Sequence, residues 1–199
     1  MRLLLLALLI PAFAFAQDDP VADIKEFQKT INKEFKGPDT SPLEPKERKR
    51  FRSLPFYDID LQYRVVATLR RTEGSDFKPA KTTTSRISMD RVYGMLEFTL
   101  GGREFSIPVY QTKDLMTRPG FEDYLFFPFT DLTNDAGTYP GGRYIDLRIP
   151  EGDEIVLDFN KAYNPSCAYN SKYSCPIVPS ENNVDLEIKA GVKYQGKGH

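Results

Sequence analysis

Two apolar runs that alternate with polar residues and meet at Gly101-Gly102 constrain this chain more than any other feature. A Gly-Gly pair supplies the positive φ angles that a tight two-residue hairpin turn requires. Setting Leu100 opposite Arg103 brings Phe98 against Phe105 and Leu96 against Ile107. The apolar partners then share one face while Glu97 and Thr99 take the other. A slip of one residue would turn the whole apolar set toward water, so the register is strongly specified. The spacing predicts a β-hairpin over Val92 to Gln111.

The same two-residue period recurs in Leu61 to Arg70, Thr82 to Met89, Tyr124 to Thr130 and Val184 to Ala190. A second hairpin is expected where Arg143 to Ile149 and Ile155 to Asn160 flank Pro150-Glu151-Gly152-Asp153, pairing Ile149 with Ile155, Leu147 with Leu157 and Ile145 with Phe159. Before the strands, Ile24, Phe27, Ile31 and Phe35 recur at spacings of three and four, the mark of an amphipathic helix over Val21 to Lys36 that Gly37-Pro38 stops. A proline-rich connector and a short helix beginning at Pro45 follow. Many short strands with Gly or Pro turns argue for an antiparallel barrel or sandwich rather than alternating α/β units. The expected organisation is an N-terminal helix and connector over residues 17–53 and one mainly β domain over 54–199, with a long C-terminal coil packed on the sheet.

Residues 1–16 have the form of a cleaved signal peptide: Arg2, an apolar run from Leu3 to Ile10, then Ala14-Phe15-Ala16 at the cleavage position. Spanning a bilayer takes about twenty apolar residues, and Asp18-Asp19 close this run too early for an anchor. The reading is a periplasmic or secreted protein with no transmembrane anchor after cleavage. The 27 basic and 28 acidic side chains nearly cancel, which argues against nucleic acid, whose binding rests on an excess of Lys and Arg. The basic run Lys46 to Arg52 contains Glu47 and reads as a solvated helix face. Histidine occurs once, at His199 on the chain end, which argues against a histidine-activated nucleophile and against histidine-ligated metal.

The distinctive chemistry lies late in the chain. It begins with Phe129-Thr130-Asp131-Leu132-Thr133 and Thr138-Tyr139-Pro140-Gly141-Gly142-Arg143-Tyr144-Ile145-Asp146-Leu147. It continues from Asp158-Phe159-Asn160-Lys161-Ala162-Tyr163-Asn164-Pro165 through Cys167-Ala168-Tyr169-Asn170 and Tyr173-Ser174-Cys175-Pro176 to Glu181-Asn182. Over Ser41 to Val192 the chain resembles a family of bacterial proteins known as domain of unknown function 1684, most specifically from Asp158 to Asn182. The resemblance implies a bacterial origin and brings no established activity, so any role must be argued from the residues.

Cys167 and Cys175 enclose a nine-residue loop, and in an oxidising compartment a disulfide is the leading reading. Such a bridge stabilises by about 2.6 kcal/mol on the chain-entropy relation, before any strain. Tyr139, Tyr144, Tyr163 and Tyr169 lie among Asn160, Asn164 and Asn182, a mixture able to stack on a ligand and bond its polar edges, or to tie a coil to the sheet. With Arg143, Asp146, Asp158 and Glu181 they make the candidate ligand-binding set, Arg143 orienting a small polar or anionic ligand. The first functional reading is a non-catalytic binding or structural module of the bacterial envelope. The second is a histidine-independent hydrolase using Asp146, Asp158 or Glu181, or a thiol enzyme using Cys167. In the third, the N-terminal helix docks on an envelope partner. No cofactor is indicated by any motif.

Overall fold

In a computed structural model, residues 19–196 are described; the expected signal peptide and His199 lie outside them. Helices α1 (Pro20–Lys36) and α2 (Pro45–Arg48) come first. They precede β1 (Arg64–Arg71), β2 (Lys78–Lys81), β3 (Ile87–Leu100), β4 (Arg103–Thr112), β5 (Tyr124–Asp131), β6 (Arg143–Arg148), β7 (Glu154–Asp158) and the two-residue β8 (Asn183–Val184).

The hairpin forms in the expected register, with Leu100 opposite Arg103, Phe98 opposite Phe105 and Leu96 opposite Ile107. Gly101 and Gly102 both take positive φ, at 57° and 75°. From this hairpin the sheet grows in the order β6-β5-β4-β3-β1-β7, with β2 joining β3 beyond the end of β1, and its pairings are antiparallel except for the short parallel contact of β8 with β5. The sheet curls into a nearly closed barrel. Its interior is filled from every quarter by Leu69, Leu96, Val109, Phe127, Phe129 and Leu157, all of them buried.

Strand β3 carries one irregularity, which reshapes the outer face of the sheet. Its register against β4 shifts between Val92 and Gly94, with Tyr93 the extra residue of a β-bulge. Gly94 and Leu96 thus stay on the interior parity, while Asp90 and Val92, paired with Thr112 and Tyr110, turn to the outer face. Gly94 is required at the bulge, because a Cβ there would stand 2.5 Å from the Arg70 carbonyl oxygen and 2.9 Å from a Leu69 methyl.

The second expected hairpin is corrected by the structure. Strands β6 and β7 do not pair; β6 lies on β5, with Ile145 opposite Phe127 and Leu147 opposite Leu125, and β7 lies on β1, with Leu157 opposite Val65. The apolar residues still face the core, since alternation fixes the face and leaves the neighbour open. Groups beside the turn are drawn outward to other strands: Ile149 N donates to Asp123 O at 2.8 Å, and Leu69 N to Asp153 O at 2.7 Å. Arg71 holds the turn itself through the carbonyls of Pro150 and Gly152.

Two further expected strands are also shorter or displaced. Within Thr82 to Met89 only the part from Ile87 belongs to a strand, the preceding residues forming a turn around the Thr82 hydroxyl. Of Val184 to Ala190 only Val184 joins a ladder. The carbonyls of Ile188 and Ala190 accept instead from the Arg143 guanidinium, so a side chain takes the place of a neighbouring strand.

Helix α1 starts one residue before its expected position, and Asp19 caps it by accepting from Val21 N and Ala22 N. Its apolar face is covered by its own chain: Ile31 and Phe35 pack with Leu54 and Val192, and Asn32 Oδ1 accepts from Leu54 N at 2.7 Å. Near its N-terminus Asp23 reaches Lys161 at 2.7 Å and Arg64 at 3.5 Å. These residues lie beside Asp146, Leu147, Val156 and Asp158, so the helix covers the seam where β6 and β7 approach without pairing.

Candidate functional site

Several residues singled out by chemistry hold the long coil in place. Arg143 is wholly buried (0% exposed) and donates to Asp131 Oδ2 at 2.7 Å, to Ile188 O at 2.9 Å and to Ala190 O. Its guanidinium lies over the Phe129 ring, 5.2 Å from the centroid. Burial lowers the pKa of this group and the Asp131 carboxylate opposes that fall. Asp158 accepts from Arg64, from Asn160 N and from Asn160 Nδ2, each at 2.9 Å. Asn160 also closes a two-way bond with the Asp60 backbone, at 3.0 and 2.9 Å.

Asn182 does comparable service on the opposite side of the barrel. Its amide nitrogen donates to Pro108 O at 2.9 Å and Pro128 O at 2.8 Å, and its oxygen accepts from the Tyr110 hydroxyl at 2.8 Å. Pro108 in β4 and Pro128 in β5 have no N–H, and these strands form a ladder only at Tyr110 and Phe126. Asn182 thus bridges a gap that two prolines leave in the sheet.

The remaining candidates divide between two places. Asp146 Oδ1 accepts from the hydroxyls of Tyr163 at 2.6 Å and Tyr124 at 2.7 Å; burial first and the carboxylate second raise both phenols, which therefore stay protonated as donors. Tyr144 pairs with Tyr163 through the backbone and donates its hydroxyl to Pro176 O. Asp146, Tyr163 and Asn164 line a cavity of about 440 Å³ beneath α1. There Asn164 donates to the Tyr169 hydroxyl at 3.0 Å, and its buried oxygen has no hydrogen-bond partner among the described residues. Tyr169 meets Phe35 edge-on at 4.9 Å. Tyr139 meets Tyr194 edge-on at 5.1 Å, its phenol raised to about 12 chiefly by burial. Cys167 N donates to Cys175 Sγ at 3.1 Å, and no bond joins the two sulfurs in the structure.

Glu181 lies elsewhere, at the rim of a larger cleft. The outer face of the sheet carries a second apolar cluster of Tyr124, Phe126 and Tyr144, joined by Tyr110 and Val178. Residues 176–181 cross it as a strap, tied down by Asn182, by the Tyr144 hydroxyl and by a bond from Ile177 N to Lys81 O at 3.0 Å. Between this strap and the N-terminal half of β3 a cleft of about 840 Å³ opens, with Val92, Tyr110, Phe126 and Val178 in its lining. Its volume lies within the usual range for small-molecule sites.

The charged lining of the cleft is unevenly held. Asp90 is 9% exposed, and its Oδ1 accepts from the Ser88 hydroxyl at 2.7 Å. Among the described residues no cation comes within 4.0 Å of it. Arg91 is occupied by Gln111 Oε1, at 2.6 and 3.0 Å, and by the Phe77 ring. Lys78 and Lys81 are exposed. The Tyr110 phenol is raised above its ordinary value by burial first, then by the charges of Glu181 and Asp90.

The family described as "Protein of unknown function (DUF1684)" matches residues 49–193, most of the chain. The chain belongs to this family. The solution NMR structure of an uncharacterized protein from Haloarcula marismortui is also similar, at 31% identity, covering 92% of this chain and 97% of that one with a TM-score of 0.71. No curated protein matches. The DUF1684 match contains the barrel, the coil and the whole lining of the cleft; α1 precedes it.

In this DUF1684 chain the tyrosine- and asparagine-rich segment points to the coil and so to Glu181 and Asn182, but not to Asp90, Val92, Tyr110, Phe126 and Val178, which lie outside or at the edge of that pattern. A signal for part of the cleft was present. In Tyr124-Leu125-Phe126-Phe127-Pro128-Phe129 both parities of a strand are apolar, the pattern of a strand covered on both faces. That pattern requires something to lie over Phe126, and the strap does so.

Proposed function

We propose that this chain is an exported module of the bacterial envelope that binds an amphipathic organic ligand in the cleft between β3, β4, β5 and the 176–181 strap. The observation that carries the reading is the cleft itself: about 840 Å³, walled by Phe126, Val92 and Val178, with Tyr110 and the carboxylates of Asp76, Asp90 and Glu181 in its lining. Apolar concavities with a few placed polar groups are the usual form of small-molecule sites. Export is supported by the N-terminal Arg2, apolar run and Ala14-Phe15-Ala16 pattern. The catalytic alternatives have less geometry behind them, since Asp158 is enclosed by Arg64 and Asn160 and Asp146 Oδ1 already accepts from two tyrosines.

Binding is tested with N-phenyl-1-naphthylamine, an uncharged dye that brightens in apolar surroundings. Val92→Trp fills the cleft from an outward-facing position, and because the chain has no other tryptophan the new side chain also reports folding. Saturable dye binding to the natural chain, weakened at least tenfold in folded Val92→Trp, is the expected result. Equal affinity in the two proteins would remove the cleft as the binding site.

Export would also place Cys167 and Cys175 where disulfides persist. While reduced, the Cys167 thiol is lowered below its ordinary pKa, first by the hydrogen bond with the Cys175 thiol, which favours the thiolate form that enters thiol–disulfide exchange. Protein secreted from an oxidising compartment, denatured without reductant and treated with an alkylating agent, should show no added mass. Two labelled thiols would refute the bridge.

A further inference from the structure

We infer that the cleft selects a cationic ligand: an ammonium group carried on an apolar body, held between the Asp90 and Glu181 carboxylates with the Tyr110 oxygen beside it. The inference rests on the cleft being the binding site, and it adds the charge of what binds. Three observations on the lining lead to it. Asp90 is nine-tenths buried and anchored by Ser88, yet has no cation within 4.0 Å among the described residues. A desolvated carboxylate without a counter-charge is costly, and a ligand that supplies the charge recovers much of that cost. Glu181 stands on the opposite wall, its Oε1 3.5 Å from the Tyr110 hydroxyl oxygen. The Tyr110 proton is directed to Asn182 Oδ1, which leaves the phenol oxygen able to accept from an ammonium.

Three positive side chains, Lys78, Lys81 and Arg91, also line the cleft, and none comes within 4.0 Å of Asp90 or Glu181. Arg91 is turned onto Gln111 and Phe77. Lys78 stands opposite Asp90 across the β2–β3 ladder, but its ammonium is not within 4.0 Å and its side chain is exposed to solvent. A ligand with an apolar body packs against Phe126, Val92 and Val178 in a way that lysine, tethered at the rim, does not. An anion-orienting role for Arg143 has no access to this cleft, because that guanidinium is enclosed in the barrel.

Three probes that share a body and differ in head group test the inference: 4-phenylbutylamine, 4-phenylbutanol and 4-phenylbutyrate, titrated by calorimetry into the natural chain and into Asp90→Asn, Glu181→Gln and Lys78→Met. The amine is expected to bind at least tenfold more tightly than the alcohol, and the carboxylate more weakly than either. Asp90→Asn should erase the amine's advantage while leaving the alcohol unchanged, and Lys78→Met should preserve or enlarge it. Alcohol or carboxylate binding as tightly as the amine would overturn the charge assignment and leave the cleft standing. An amine preference that survives both Asp90→Asn and Glu181→Gln would overturn the assignment of these carboxylates. If none of the three binds, the inference falls, and the dye titration of the natural chain against Val92→Trp decides separately whether the cleft stands. Glu181 is exposed, so Glu181→Gln gives a reading even if Asp90→Asn disturbs the strand.

Discussion

Replacing Arg143 with methionine is expected to lower the free energy of unfolding by about 3–5 kcal/mol, the usual cost of removing one partner from a buried ion pair. The side-chain atoms of Arg143 and Asp131 are both 0% exposed, and their bond is 2.7 Å long. Methionine fills most of the volume but leaves Asp131 as a buried carboxylate facing no cation, and the Ile188 and Ala190 carbonyls without their donor. Asp131 keeps its bonds to Thr133 N and Ile188 N, which is why the loss stays within this range. Urea unfolding followed by far-ultraviolet circular dichroism measures the change. A double variant, Arg143→Met with Asp131→Leu, should be more stable than Arg143→Met alone, because the stranded charge is gone. A loss below about 1 kcal/mol in the single variant would show that the pair contributes no more than a surface contact does.

Asn182→Leu should cost about 2–4 kcal/mol. It strands the Pro108 and Pro128 carbonyls and frees the Tyr110 hydroxyl, and each buried group left unsatisfied costs about 1–3 kcal/mol. The effect extends to the cleft, since the turn Ser180–Asn182 anchors one end of the strap and carries Glu181. Amide exchange over residues 176–183 should accelerate more than exchange in β3 and β4, and dye binding should weaken in parallel. Natural stability with unchanged exchange in the strap would mean that Asn182 is not its anchor.

The sequence carried the hairpin because its information is local. A Gly-Gly turn fixes loop length, loop length fixes register, and the alternation of Leu96, Phe98, Phe105 and Ile107 verifies it. Helix α1 was legible for a similar reason, its 3.6-residue stripe being a property of about five consecutive turns. Strands β6 and β7 had an equally regular alternation and still took other partners. Their inward faces were correct, but Ile145 and Leu157 serve the same core whether their strands lie side by side or at opposite edges of the sheet. For Arg143, Asp158, Asn160 and Asn182 the residue types were informative and the role was not. Arginine and asparagine that bind a ligand and those that bind a stray backbone carbonyl have the same donors, and only burial separates the two uses.

Local spacing alone thus determined a mainly β chain with an apolar helix face at its start, a specified central hairpin and a coil rich in tyrosine and asparagine. Tertiary structure decided where the coil goes and what the outer face becomes. The bulge at Tyr93 moves Asp90 and Val92 from the parity of Leu96 to that of Tyr110, and the Gly94 that follows it leaves room for the Arg70 carbonyl, a neighbour brought there only by the β1–β3 pairing. The cleft exists because that change of face meets a strap pinned by Asn182, about ninety residues further along the chain. Contacts at such separation leave no periodic trace in a sequence, since their energy depends on which surfaces the folded backbone brings within reach.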